Sequence, residues 1–145
     1  MSSTWRRHFV HLVWGTFERL ATLDAAREDL VARMIALRAR RRGCELLAFG
    51  ASDDHVHVLL SLHPSQDVAA LVRWFKSATT IEIERIDARH PPFRWQAGYG
   101  VLSVDPHETA GLREYIDNQR DHHANGTTIP SWEPQLESLD PTRRH

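Results

Sequence analysis

Residues 53–62 read Asp-Asp-His-Val-His-Val-Leu-Leu-Ser-Leu, and the alternation in this stretch predicts a β-strand. The even-numbered residues are apolar and would share one face of the strand: Val56, Val58, Leu60 and Leu62. His55 and His57 then share the opposite face, with Cα atoms about 6.6 Å apart, from two residues of strand rise. Two imidazole rings at that spacing can bind one metal ion.

A His-x-His pair is a weak signal by itself. The chain has 10 His among 145 residues, so such a pair also arises by chance. A functional site would need other polar side chains near the pair. Tyr115 and Gln119 are candidates, because residues four apart share a helix face, with Cβ atoms about 6 Å apart. The same spacing also fits a half-buried aromatic residue with a polar neighbour.

The composition is that of a single-domain protein. A chain of 145 residues with 41% hydrophobic residues and 5 Trp can bury one core. Cys44 is the only cysteine of the sequence, which excludes an internal disulfide and a multi-cysteine zinc site. The sequence contains no run of 18 apolar residues and no signal-peptide pattern. We therefore expect a cytoplasmic protein without membrane association.

The charge is uneven along the chain. The net charge is −1, but residues 1–50 carry nine Lys and Arg against five Asp and Glu, and residues 51–145 carry nine against fourteen. The densest basic cluster is Arg38, Arg40, Arg41 and Arg42. It fits the C-terminal end of a helix, where the dipole favours cations, as well as a phosphate-binding track.

The other segments predict alternating strands and helices. The predicted order is a strand at 8–17, a helix at 24–42, strands at 44–51 and 55–62, a helix at 67–89, a strand at 93–104 and a helix at 106–123. Apolar residues at helical spacing predict the buried faces of the first two helices: Leu30, Met34 and Leu37, then Leu71, Phe75, Ala78 and Ile86.

This order, β-α-β-β-α-β plus an extra helix, predicts an α+β, ferredoxin-like fold. An antiparallel sheet would carry helices on one face, and a C-terminal helix would carry Tyr115. The helix-free face of the sheet would display His55 and His57. We predict a domain at 1–128, with its core at about 8–125, and an extended tail at 129–145.

Three ordered motifs stand out: Asp54-His55-Val56-His57-Val58-Leu59-Leu60, Trp95-Gln96-Ala97-Gly98-Tyr99-Gly100 and Tyr115-Ile116-Asp117-Asn118-Gln119-Arg120-Asp121-His122-His123. Together with the first strand, they resemble the single-tyrosine HUH transposases. This family comprises the small bacterial insertion-sequence transposases and their domesticated relatives, the REP-associated tyrosine transposases. The resemblance covers roughly residues 8–125. Asp53 stands where the family usually has Pro, which can alter the turn but leaves the implied ligands unchanged.

The resemblance implies that His55 and His57 bind a divalent metal, Mg²⁺ or Mn²⁺, and that Gln119 is a further metal ligand. It implies that Tyr115 is the nucleophile and forms a 5′-phosphotyrosine link to DNA. The implied substrate is single-stranded DNA with a hairpin end. The implied form is a homodimer, in which Tyr115 can serve either subunit, with a monomer as the alternative.

Phosphodiester chemistry agrees with these roles. A phosphodiester repels anionic nucleophiles, so cleavage needs a cation on its oxygens and an oriented attacking group. Tyrosine, with a usual pKa of about 10, needs activation by a metal or a base. His122, one heptad after Tyr115, is a candidate base, although its position fits a surface residue better. Histidine ligands would equally suit zinc.

Three further residues are candidate DNA contacts. Arg73 and Lys76 lie on the second predicted helix, where they could bind phosphates. Unlike Tyr115, Tyr99 is not followed four residues later by a side chain of the kind that binds metals. We therefore assign Tyr99 to structure or to DNA contact.

Two other functions remain open from the sequence. The first is a domesticated protein that binds hairpin DNA without transposing. The second is a small zinc hydrolase that uses His55 and His57 with a carboxylate such as Asp54. In a hydrolase of this kind, Tyr115 would be dispensable.

Overall fold

The computed structural model describes residues 8–139 and confirms the predicted α+β fold. Its strands and α-helices, in chain order, are β1 (Phe9–Gly15), α1 (Ala25–Arg41), β2 (Glu45–Ser52), β3 (His55–Ser61), α2 (Val68–Ile86), β4 (Gly100–Val104), α3 (Thr109–Asp117) and α4 (Gln119–Asn125). The strands form one antiparallel sheet in the order β2-β3-β1-β4. β3 and β1 are therefore the central pair of strands. The outermost parts of the predicted domain and tail, 1–7 and 140–145, lie outside the described residues.

The histidine strand lies in the middle of the sheet. β3 pairs with β1 on one side and β2 on the other, so His57 faces Val13 on β1 and Gly50 on β2. The backbone around both histidines is fixed by these two ladders of hydrogen bonds. The imidazole rings are therefore held on a rigid element rather than on a loop.

The first two helices begin where the sequence predicts. The side chain of Asp24 accepts a hydrogen bond from the backbone N–H of Arg27, and that of Asp67 accepts one from Ala69. Each carboxylate thus satisfies an N–H group that has no partner within its helix. No helix within residues 8–139 has both the length and the apolar character needed to cross a membrane.

The main core lies between the sheet and these two helices. It contains the even-numbered side chains of β3 and buried residues of both helices, among them Val31, Ile35, Ala39, Leu71, Val72, Phe75 and Ile83. Two of the predicted core positions are wrong, because Leu37 is 47% exposed and Ile86 is 52% exposed. The buried stripe of each helix is rotated toward Ile35 and Ile83, so the side chains of Leu37 and Ile86 point away from the sheet.

The other face of the sheet is covered, which contradicts the predicted helix-free face. A second cluster of buried side chains joins α3 to the sheet: Ala48, Leu59, Val104, Leu112, Tyr115 and Ile116. Leu59 explains the need for this cover, because it shares the face of His55 and His57 and is itself apolar. The histidine face is therefore an interior layer.

The strand predicted from residue 93 begins only at Gly100. Before it, Trp95 forms a single bridge with Thr16. Lys76 donates from Nζ to the carbonyl oxygens of Gln96 and Gly98, at 2.8 and 2.6 Å. Since these carbonyls bind the lysine and Gly98 has a φ of +83°, the segment cannot continue a regular ladder here.

The last helix is divided, and the predicted tail is folded. Asn118 separates α3 from α4 with φ −111° and ψ 28°, and its Nδ2 donates to the carbonyl oxygen of Glu114. Residues 129–139, called here the C-terminal segment, contain short 3₁₀ turns at Pro130–Trp132 and Leu136–Leu139. Leu136 is buried, so this segment packs on the domain rather than extending away from it. The domain boundary at residue 128 stays a prediction.

Replacing Gly50 with alanine should destabilise the fold. Gly50 faces α3, and a Cβ atom at this position would overlap the carbonyl oxygen of Ile116. Overpacking of this kind costs about 1–3 kcal/mol of unfolding free energy. We expect Gly50→Ala to lose that amount in urea unfolding followed by tryptophan fluorescence.

Gly111→Ala is the matched control. Gly111 lies inside α3, and no other part of the described chain comes within 4 Å of a Cβ atom placed there. Alanine is about 0.5–1 kcal/mol more favourable than glycine inside a helix. Equal unfolding free energies for Gly50→Ala and the wild-type protein would contradict the close packing of α3 on β2.

Candidate functional site

The two histidines of β3 are buried beneath the C-terminal part of the chain. His55 is 3% exposed and His57 is 0% exposed. Their ring centroids are 5.1 Å apart, with the ring planes at 64°. The predicted pairing of the two imidazoles on one face of β3 is therefore what the structure has.

His11 of β1 fixes the orientation of His57. Its Nε2 lies 2.8 Å from Nδ1 of His57, and the two rings stack at a centroid distance of 5.0 Å. Burial and the neighbouring His57 lower the pKa of His11 to about 3, so this ring is neutral. The contact directs Nε2 of His57 toward the carboxylate of Glu133, 3.0 Å away.

Asp54 and Ser52 fix the orientation of His55. Nδ1 lies 2.8 Å from Asp54 Oδ1 and 2.7 Å from Ser52 Oγ. Because a carboxylate oxygen can only accept, Nδ1 carries the proton and Nε2 points into the site. Arg19 donates to the same Asp54 oxygen at 3.1 Å. Hydrogen bonds from His55 and Arg19 outweigh burial and hold the pKa of Asp54 below its usual range.

Nε2 of His55 has no hydrogen-bond partner among the described residues. The nearest acceptor, Oε2 of Glu133, is 3.5 Å away. Burial lowers the pKa of His55, but the carboxylates of Asp54 and Glu133 outweigh it and raise the pKa overall. The space between Nε2 and Glu133 therefore favours a positive charge, either a proton or a bound cation.

Tyr115 lies beside the histidines of its own chain. Its ring centroid is 6.2 Å from that of His57. The phenol donates to Oε1 of Glu133 at 2.6 Å and accepts from the backbone N–H of Ile129 at 3.0 Å. Burial, together with the hydrogen bond to Glu133, raises the pKa of Tyr115 to about 12. The phenol is therefore held protonated near neutral pH.

His122 lies against Tyr115 but does not contact its phenol oxygen. Its ring stacks on the ring of Tyr115 at a centroid distance of 4.6 Å, and its Nδ1 lies 2.9 Å from Oγ1 of Thr127. Stacking puts the imidazole over the face of the phenol ring rather than at its oxygen. The side chain that contacts the phenol oxygen is Glu133.

Gln119 reaches the same cluster from the start of α4. Its Oε1 lies 3.2 Å from Nε2 of His123, and its Nε2 donates weakly to the carbonyl oxygen of Tyr115 at 3.4 Å. His123 Nε2 is also 3.2 Å from Oε1 of Glu133. The imidazole of His123 thus lies between Glu133 and the amide of Gln119, which is predicted as a metal ligand.

Glu133 connects these groups and was missed by the sequence reasoning. Burial opposes its ionisation, but the neighbouring imidazoles of His55 and His57 outweigh it, so the pKa of Glu133 is well below its usual range. In the sequence, Glu133 is a single acidic residue between Trp132 and Pro134 in a segment predicted as a tail. No spacing pattern relates it to the His-x-His motif, so only its position in the fold identifies it.

Four side chains could hold a divalent metal: His55, His57, His123 and Glu133, whose ligand atoms all lie within 4.8 Å of one another. The unpartnered Nε2 of His55 is a donor that such an ion would satisfy. Imidazole and carboxylate donors together suit divalent transition metals. The side chains of this site therefore fit a divalent cation.

Arg120 fixes the Tyr115–Gln119 region to the rest of the same chain. It donates to Glu28 of α1 at 2.8 Å, to the carboxylate of Asp53 at 2.6 Å and to the carbonyl oxygen of Leu23 at 2.8 Å. Asp53, which replaces the family's usual Pro, thus has a structural partner.

The three candidate DNA contacts lie away from this cluster. Arg73 is exposed on α2. Lys76 is half-buried, and two backbone carbonyls occupy its Nζ. Tyr99 packs partly against the main core. Their roles in DNA binding stay predictions.

Comparisons with known proteins agree with the geometry. The sequence model of the family described as "Transposase IS200 like" matches residues 4–119. The ISDra2 transposase TnpA of Deinococcus radiodurans is 27% identical over 119 residues, which cover 77% of this chain and 83% of that protein.

Two solved structures are also similar. A crystal structure of a protein from Deinococcus radiodurans R1, assigned as a transposase, is 26% identical with a TM-score of 0.64, covering 83% of this chain and 97% of that chain. The structure of a REP-associated tyrosine transposase bound to a REP hairpin is 16% identical with a TM-score of 0.61, covering 88% of this chain and 76% of that chain. At 16% identity, the second similarity concerns the fold alone.

Tyr115 should ionise only at very high pH. With a folded-state pKa of about 12 against about 10 when unfolded, its contribution to stability is present below pH 10 and is lost as the pH rises through about 12. At pH 11 such a phenol is about one-tenth ionised. We expect absorbance at 295 nm to show a tyrosinate component above pH 11 that Tyr115→Phe removes. Complete ionisation of Tyr115 by pH 11 in the folded protein would contradict the hydrogen bond to Glu133.

Proposed function

Because the chain belongs to the IS200-like transposase family, we propose that it is a metal-dependent tyrosine transposase that cleaves and rejoins single-stranded DNA. The observation that carries this proposal is the convergence of Tyr115, His55 and His57 on one carboxylate, that of Glu133. A tyrosine that only stabilises the fold does not need two imidazoles and a carboxylate beside its phenol. The nucleophile and the candidate metal ligands lie within one buried cluster.

In the proposed reaction the phenolic oxygen of Tyr115 attacks the phosphorus of a phosphodiester. The phenol loses its proton, the bond from phosphorus to the 3′-oxygen breaks, and that oxygen takes up a proton. The product is a 5′-phosphotyrosine and a free 3′-hydroxyl. Another 3′-hydroxyl can reverse the step without ATP, because the covalent link retains the energy of the phosphodiester bond.

The protein positions the phenol and keeps it protonated until the substrate is bound. The hydrogen bonds to Glu133 and from the Ile129 N–H locate its oxygen. His55 and His57, with Gln119 as the third proposed ligand, would hold Mg²⁺ or Mn²⁺. Bound there, the cation would neutralise charge on the phosphate oxygens and favour the phenolate. His11 and Asp54 set the orientation of the two imidazoles.

The proposed substrate is single-stranded DNA with a hairpin end. In support, one protein with this fold is described as bound to a REP hairpin. Arg73, Lys76 and Tyr99 are proposed DNA contacts, each to be tested by binding. Because the substrate is DNA, a cytoplasmic location is part of the proposal.

The proposed homodimer does not require exchange of the Tyr115 helix. Tyr115 already lies against His57 of its own chain, and Arg120 joins α4 to α1 and to the turn before β3. These contacts favour cleavage in cis. A monomer could then perform the cleavage step.

The hydrolase alternative has less support. It needs a free carboxylate beside the metal ligands, and Asp54 was the candidate. The Asp54 carboxylate is instead bound to Nδ1 of His55 and to Arg19. It lies on the side of the imidazole opposite to the ligand atom Nε2.

The decisive test is a covalent protein–DNA adduct. Full-length protein is incubated with end-labelled hairpin DNA carrying a single-stranded flank, with Mn²⁺ or Mg²⁺, and resolved on a denaturing gel. Tyr115→Phe should abolish the adduct and retain DNA binding, because it removes only the nucleophilic oxygen. Tyr99→Phe, which changes the chain's other tyrosine, should retain the adduct at saturating DNA.

The metal requirement is tested with a second pair of variants. His57→Ala removes a proposed ligand and should abolish cleavage, as should EDTA. His107→Ala removes an exposed histidine outside the cluster and should cleave as the wild-type protein does. Cleavage that persists in Tyr115→Phe would favour the hydrolase, and tight hairpin binding without any adduct in the wild-type protein would favour a binding module.

A further inference from the structure

We propose that Glu133 is a direct ligand of the divalent metal, so that the C-terminal segment completes the metal site. This inference rests on the proposed function, because it concerns the same cation. It extends the ligand set beyond His55, His57 and Gln119. It also gives a defined role to a residue outside the three motifs of the sequence.

The carboxylate of Glu133 lies at ligand distance from both histidines of β3. Oε2 of Glu133 lies 3.0 Å from Nε2 of His57 and 3.5 Å from Nε2 of His55. Two adjacent ligands of one ion, each about 2.1 Å from it, are about 3 Å apart. Without an ion, Nε2 of His55 has no hydrogen-bond partner within residues 8–139. One cation shared by the three atoms satisfies all of them.

Contacts of the C-terminal segment on both sides of Glu133 hold this residue in place. Before it, the Ile129 N–H donates to the Tyr115 oxygen, and the Trp132 ring lies 5.1 Å from the Tyr115 ring. After it, the carbonyl oxygen of the buried Leu136 accepts from Nε2 of Gln96 at 2.9 Å. The carboxylate is therefore fixed from both sides, which reduces the entropy cost of metal binding.

Gln96 links this segment to the sheet. Its Oε1 accepts from the backbone N–H of Gly15 at 2.7 Å, at the end of β1. Gly15 is paired with His55 across the sheet. Gln96 therefore joins Leu136 to the end of β1, directly opposite His55. The Glu133 carboxylate and the imidazoles of β3 are thus supported by the same sheet.

Of the four side chains that could hold the ion, His123 is the one whose Nε2 lies between two oxygen acceptors. Its Nε2 lies 3.2 Å from Oε1 of Glu133 and 3.2 Å from Oε1 of Gln119. Both neighbours are oxygen acceptors, so Nε2 carries a proton and donates to them. His123 therefore supports Glu133 and Gln119, while Glu133 contributes its other oxygen, Oε2, to the metal.

This ligand set gives a metal preference. Two imidazoles and one carboxylate favour a transition metal over Mg²⁺, which prefers oxygen ligands and keeps most of its water. We expect the free protein to bind Mn²⁺ more tightly than Mg²⁺. A bound carboxylate also reduces the positive charge that DNA meets at the site.

The test is Mn²⁺ binding by the full-length protein without DNA, measured by isothermal titration calorimetry and by the electron paramagnetic resonance of free Mn²⁺. Glu133→Gln keeps the shape of the side chain but removes the charge of the ligand. It should weaken Mn²⁺ binding by about tenfold or more, since even outer partners of a metal site contribute 10- to 100-fold. Glu114→Gln, an exposed position on α3, should bind as the wild-type protein does.

Tyr115→Phe separates the two roles of the carboxylate. It removes the hydrogen bond to Oε1 but keeps the charge, so it should bind Mn²⁺ within about threefold of the wild-type protein. The proposal is overturned if Glu133→Gln binds Mn²⁺ as tightly as the wild-type protein, or if Tyr115→Phe loses as much affinity as Glu133→Gln. If the wild-type protein binds no Mn²⁺ and still forms the DNA adduct, the ligand role is wrong while phosphotyrosine chemistry stands. If it binds Mn²⁺ through Glu133 but forms no adduct, the ligand role stands while phosphotyrosine chemistry is wrong.

Discussion

The burial of β3 on both faces is the constraint on which the structure depends. One face carries the main core, with Val56, Val58 and Leu60, and the other carries His55, His57 and Leu59. An antiparallel strand with an open polar face would leave the imidazoles in water. Here α3, α4 and the C-terminal segment cover that face. The cover brings Tyr115, Gln119 and Glu133 to the histidines.

Burial also determines the electrostatics of the cluster. Buried imidazoles lose the stabilisation that water gives their charged form, and a buried carboxylate loses it as well. The Glu133 carboxylate and the His55 imidazole each favour the charged form of the other. His11 remains neutral next to His57. A largely buried cluster of this kind strengthens its interactions with a phosphate or a cation that enters it.

The sequence predicted the fold and the motif residues but not how they are covered. Period-two alternation places His55 and His57 on one face regardless of what lies above it, and helix caps at Asp24 and Asp67 are local. The loss of the strand before Gly100 depends on a distant partner, Lys76. Glu133 is far along the chain from the histidines it contacts, so no local pattern could reveal it.

The packing of α3 on β2 has a consequence for movement within the protein. Gly50 lets the backbone of Ile116 approach the sheet closely, and Arg120 joins the next helix to Glu28 and Asp53. If Tyr115 is the nucleophile, as proposed, a DNA strand attached to it would be tethered to a helix that these contacts hold against the sheet. Between breakage and rejoining, the free 3′ end of the nucleic acid would then be the part that changes position.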